Sequence, residues 1–223
     1  MTTRVEQIGR ARPCLSAATV TALSSGATRG TLTFASLRFP CALGRAGCRA
    51  RKREGDGATP IGQWRVRAVL YRPDRMRRPL TPLPVRAIRR HDGWCDASAD
   101  RNYNRPVRLP YRASAERLWR EDELYDVVVV LTYNERPRVR GRGSAIFMHV
   151  ARPGYAPTEG CIALARGHLL RLLERLPARA TINVLVVKKK RPKLSLRALR
   201  ARTGEVACSR LRRDPMERGP RRR

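Results

Sequence analysis

The chain has 223 residues, 42% of them hydrophobic, which suits one domain with tails and excludes wholesale disorder. No run approaches the roughly 18 consecutive apolar residues of a membrane-spanning helix. Lysine and arginine number 49 against 18 aspartate and glutamate, a net charge of +31 that points towards nucleic acid, an anionic surface or an acidic polymer.

Residues 1–29 read as a flexible leader with a weak signal-like segment. Arg4, Arg10 and Arg12 precede a mildly apolar run from Cys14 to Leu23, which threonine and serine dilute, and Ser25-Gly26-Ala27 follows. The body, residues 30–187, reads as one unit. Short strands are expected over 31–35 and 38–43, then a polar, glycine-bearing loop over 51–60. Over 63–70, Trp64, Val66, Ala68 and Leu70 alternate with Arg65 and Arg67, the period-two pattern of a half-buried strand. Residues 72–84 and 91–110 are expected to be loops; in the second, His91, Asp92, Trp94 and Asp96 are candidates to wall a cleft.

Residues 126–132 (DVVVVLT) form a β-branched run suited to a central strand buried on both faces. A further strand is expected over 144–150 and a last one over 181–187. Between them, residues 166–176 place Leu169, Leu170, Leu172, Leu173 and Leu176 on one helical face, with Pro177 as the stop. His168 is expected to face solvent. The tail, 188–223, carries fifteen basic and three acidic residues and reads as a disordered extension, leaving +19 on the rest. Only five basic residues are lysine, Lys52 and four between 188 and 193; the arginine excess is as readily compositional as functional.

Six cysteines stand at 14, 41, 48, 95, 161 and 208, with no C-x-x-C pair and three histidines in all, which argues against a zinc site. Cys41 and Cys48 suit either a disulfide around a turn or two buried thiols. The chemistry concentrates later, where His149 ends an apolar strand and Cys161 follows Gly160 just before the helix. A loop containing Pro153 and Pro157 separates them. Imidazole can take the proton of a thiol whose pKa is near 8.5, making it a nucleophile. Gly160 permits a tight turn that could aim the amides of residues 160 and 161 at a developing oxyanion.

These residues carry a resemblance. Residues 144–164 (SAIFMHVARPGYAPTEGCIAL) look like the active-site signature of the L,D-transpeptidase catalytic domain family: a histidine, a spacer, then [Ser/Thr]-His-Gly-Cys and an apolar residue. His149, Thr158, Gly160 and Cys161 match it. Upstream, Asp56-Gly57-Ala58-Thr59-Pro60-Ile61-Gly62 is similar to the family's D-x-x-T-P-x-G turn. The departures are Glu159 in place of the second histidine, a shorter spacer, and Ala163 where many members are polar.

The resemblance implies a mainly β (α+β) domain, a sandwich with a helix after the cysteine. It implies a two-step acyl transfer on peptidoglycan stem peptides, with Cys161 as nucleophile and His149 as base then acid. A thioester forms and is resolved by an amine, giving a cross-link, or by water, giving carboxypeptidase action. No metal or organic cofactor and no obligatory nucleic acid are implied, and the expected setting is the bacterial envelope. Arg152, Tyr155, Thr158 and Glu159 are the expected substrate contacts. Two other classes remain open: a nucleic-acid-binding protein driven by the basic tail, and a non-catalytic wall-binding module.

Overall fold

The structure, a computed structural model, describes residues 16–187; the tail expected at 188–223, like Cys14 and Cys208, lies outside them. Fourteen strands and one α-helix follow one another in these residues. The first three strands are β1 (Ala17–Ala22), β2 (Arg29–Phe34) and β3 (Leu37–Ala42). Two short strands, β4 (Cys48–Arg49) and β5 (Thr59–Pro60), lead to the long β6 (Gly62–Tyr71). Then come β7 (Val85–Ala87), β8 (Asp92–Cys95), β9 (Arg105–Arg108) and β10 (Ala115–Arg117). The last part holds β11 (Val127–Leu131), β12 (Phe147–Val150), β13 (Ile162–Leu164), the helix α1 (Arg166–Arg175) and β14 (Thr181–Val186).

Nine strands form the main sheet in the order β11-β12-β13-β3-β2-β1-β14-β6-β7, and β6 also pairs with β11. The length of β6 makes this possible: Gly62–Arg65 lie against β14, and the half from Val66 to Tyr71 lies against β11, with a bulge at Val130/Leu131. The sheet therefore curls until β11 meets β6. A second sheet, β10-β8-β9, is layered against it.

The first core fills the curl. It gathers Ala18, Val20, Leu32, Val127, Val129, Met148, Ile162, Leu164, Ile182 and Val184 with the helix residues Leu169, Leu172 and Leu173. Those leucines, with Leu176, fall at i, i+3, i+4 and i+7, which explains why they share one buried stripe; Leu170 is only partly buried. A second core lies on the other face of β11, where Val128 and Val130 meet Leu70, Trp94, Leu118, Tyr125 and Phe147. All five residues of β11 are buried because each face serves a different core.

Three expectations are corrected. The leader over 1–29 gives way at residue 17, where β1 runs parallel to β14 inside the main sheet. The threonines that dilute the apolar run are its strand alternation: Ala18, Val20 and Ala22 are fully buried, and Thr19 and Thr21 sit on the other face. The domain thus starts before residue 30. The loop expected over 91–110 contains β8 and β9. They are only four residues each, and Pro106 sits in β9, an edge strand, where a missing N–H costs no ladder bond. His168 is not solvent-facing but half-buried, stacked on Phe39 at 4.4 Å between ring centroids.

Candidate active site

Strands β12 and β13 run parallel, with Met148 opposite Ile162, His149 opposite Ala163 and Val150 opposite Leu164. Alternation sends Met148 and Val150 into the first core and Phe147 and His149 to the other face. Cys161, one residue before β13, packs against that same second cluster. The thiol and the imidazole therefore open on one cleft of about 540 Å³, although twelve residues separate them in sequence.

Each group has a fixed partner. His149 Nδ1 lies 2.8 Å from the Val150 carbonyl oxygen. A carbonyl only accepts, so Nδ1 carries the hydrogen and the neutral ring leaves Nε2 as the basic nitrogen. Tyr125 packs edge-on to the imidazole at 5.3 Å, and its hydroxyl donates to Glu116 Oε1. Cys161 Sγ donates to the Ala145 carbonyl at 3.3 Å and accepts from the Phe147 N–H at 3.4 Å.

The electrostatics keep both groups neutral at rest. Burial pulls His149 down to about 4, against the pull of the Val150 carbonyl. Burial pushes the Cys161 thiol up to about 12. The Glu116 carboxylate adds to that, while the Phe147 N–H and the Lys52 ammonium oppose it. Glu116 is itself held above the usual carboxylate range by burial, which its bond from Tyr125 resists.

The loop entering Cys161 is pinned by Thr158. Its hydroxyl donates to the Cys161 carbonyl at 2.6 Å and accepts from the Gly160 N–H at 3.2 Å. The Gly160 amide, expected to face an oxyanion, is thus engaged within the turn, and Gly160 contributes conformation. Its φ is +129°, and a Cβ there would stand 2.7 Å from the Ala58 carbonyl oxygen. The segment over 56–62 and the cysteine loop accordingly touch. Between them, Gly44 N donates to Thr59 Oγ1 at 2.8 Å, and Arg45 N donates to the Thr158 carbonyl at 2.7 Å. Asp56 braces the turn from within, accepting from Lys52 Nζ, Arg53 N and Ala58 N. Burial tends to raise its carboxyl, but those donors prevail and hold it below the ordinary range.

Of the expected substrate contacts, Arg152, Thr158 and Glu159 line the cleft. Glu159, highly exposed, is paired with Arg45 at 2.8 Å. Tyr155 is not part of the cleft wall: it sits in a 3-10 turn with φ +54°, directed by the kink at Gly154. From the expected wall over 91–96, Asp96 reaches the cleft. Trp94 is buried edge-on against Phe147, and His91 is exposed beside the Leu109 carbonyl. Lys52, Glu116, Arg120 and Tyr125 also line the cleft. No periodicity marks them, although Lys52 stands out as the only lysine before residue 188.

Among the described residues, no three His, Cys, Asp or Glu side chains gather as a metal site, and no helix is long and apolar enough to cross a membrane. Cys41, Cys48, Cys95 and Cys161 are free thiols, which decides between the two readings of Cys41 and Cys48.

The model of the YkuD family, described as the L,D-transpeptidase catalytic domain, matches residues 28–187. A crystal structure of Mycobacterium tuberculosis L,D-transpeptidase 1 is similar at 15% identity and a TM-score of 0.33, over 76% of this chain and 60% of that one. This chain thus spans less than two thirds of that protein's length. No curated protein matches it.

Proposed function

The chain belongs to the L,D-transpeptidase catalytic domain family, and from that premise we propose that it is a cysteine acyltransferase acting on peptidoglycan stem peptides in the bacterial envelope. One observation carries the reading: His149 on β12 and Cys161, just before the strand β13 that is registered with it, open on one cleft, with His149 Nδ1 tied to a backbone carbonyl. Val150 takes the orienting place that a carboxylate fills in other nucleophile–histidine pairs.

The steps follow from that tautomer. His149 Nε2 takes the Cys161 proton as Sγ attacks the carbonyl carbon of the third stem residue. The C–N bond to the terminal D-amino acid then breaks, and the proton on Nε2 passes to the departing amine, leaving a thioester on Cys161. The side-chain amine of a second stem attacks that thioester, giving up a proton through His149 to the sulfur and forming a cross-link. Water in the same position gives a trimmed stem. Neutral resting groups suit this order, because no separated charge has to be kept in a buried site before substrate arrives.

The test incubates the full chain and its Cys161→Ala variant with isolated sacculi and separates the digested muropeptides. New cross-links or trimmed stems from the wild type, absent with Cys161→Ala, support the reading. Neither product from a folded wild type would sink it. Salt-dependent binding of nucleic acid that survives Cys161→Ala, with no change in the sacculi, would favour the nucleic-acid class instead.

A further inference from the structure

We propose that Lys52 is a positioning residue of this site, a buried ammonium that stabilises negative charge as it forms on Cys161. The inference rests on the reading of Cys161 as the nucleophile. Lys52 lines the same cleft as Cys161 and His149, and its side chain is 3% exposed. Its ammonium stands 3.4 Å from where a Cβ on Gly160, the residue before Cys161, would lie.

The slot is built around it. A Cβ on Gly143, whose φ is +103°, would come within 2.9 Å of Lys52 Cε. Glycines on two separate loops thus leave the room this side chain occupies. Asp56 Oδ1 accepts from Nζ at 2.6 Å and the Arg53 carbonyl accepts at 3.3 Å. An ammonium has three N–H donors, so the third has no protein acceptor among the described residues.

The chemistry of the cleft calls for this charge. Attack moves a proton from thiol to imidazole within a buried space that opposes charge on both, and Glu116 opposes the thiolate further. Against that carboxylate, Lys52 is the cation that favours the thiolate. Composition points the same way. Residues 1–187 hold 33 arginines and one lysine, and the lysine is at this position. A guanidinium is broader and planar, whereas the space between Gly143 and Gly160 takes a compact ammonium.

A structural salt bridge to Asp56 would hold the turn without touching reactivity, and the experiment separates the two roles. In the full chain, the rate of Cys161 alkylation by iodoacetamide is followed by peptide mass across pH 7–9, where it tracks the thiolate fraction. Lys52→Met should slow it several-fold at each pH, the direction expected when a positive charge facing the same buried cleft is removed. Glu116→Gln should speed it. A Lys52→Met chain that melts lower but alkylates at the wild-type rate overturns the proposal. If Lys52→Met does not fold, Asp56→Asn keeps the ammonium but loosens it, and an unchanged rate with Asp56→Asn together with no acceleration in Glu116→Gln overturns it equally. The readout needs no peptidoglycan. Slowed alkylation with inactive sacculi would leave Lys52 in place and discard acyl transfer, while active sacculi with unchanged alkylation would do the reverse.

Discussion

Gly160→Ala should destabilise the protein through the contact that joins its two motifs. Gly160 has φ +129°, outside the regions open to L-residues, and an added methyl would meet the Ala58 carbonyl oxygen at 2.7 Å. Sparse backbone conformations cost about 1–3 kcal/mol. Relieving the clash requires a backbone shift, which costs about 1–3 kcal/mol more by comparison with overpacked cores. Because the obstruction is main chain, no rotamer change avoids it. The sum, about 2–6 kcal/mol, is a large share of the ~5–15 kcal/mol stability of an ordinary domain. At about 2–4 °C per kcal/mol for this size, the melting temperature should fall by about 5–20 °C. The control is Gly141→Ala, at φ +72° with open space around the site; it should cost only about 1–2 kcal/mol. Melting followed by circular dichroism compares them. If Gly160→Ala melts within about 2 °C of Gly141→Ala, the close approach of the two loops is wrong.

Acid stability should depend on His149. Its folded pKa, about 4, lies below the unfolded value of 6.5, so between these values the unfolded chain binds the extra proton. The contribution is complete above about pH 6.5 and is lost as pH falls towards 4, by about 3 kcal/mol in all. Urea midpoints between pH 4 and 7 should show this slope in wild type and a shallower one in His149→Gln; equal slopes would count against a buried neutral imidazole. Asp126 is 1% exposed and joins Arg75 and Arg166, each at 3.2 Å. Asp126→Ala should cost about 2–3 kcal/mol in urea unfolding, less than a fully buried pair because both arginines reach water. Leu173→Ala, at a site with no exposure, should cost about 2–5 kcal/mol and clearly more than Leu170→Ala. Equal losses would mean that the helix presents a different face.

Much of this protein was determined locally and could be read from the chain. The unbroken valines of β11 marked a strand buried on both sides, and the leucine spacing of α1 marked its buried face, because side-chain periodicity is set by backbone geometry. The pair His149 and Cys161, and the turn over 56–62, were visible as residue types in order along the sequence. What the sequence did not settle depends on partners far away in the chain. The first strand passed for a leader because its alternation means nothing until β14 and β2 lie beside it. Strands β8 and β9 were hidden because strands of four residues show too little alternation to read, and β8 gains its burial only where Trp94 packs against the main sheet. Gly160 could be read as an oxyanion donor until Thr158 was seen to accept from its amide. No spacing or periodicity marks Lys52 or Glu116, although Lys52 is the only lysine before residue 188. Their charges matter at Cys161 because folding brings them to one buried cleft, where little water intervenes to screen them.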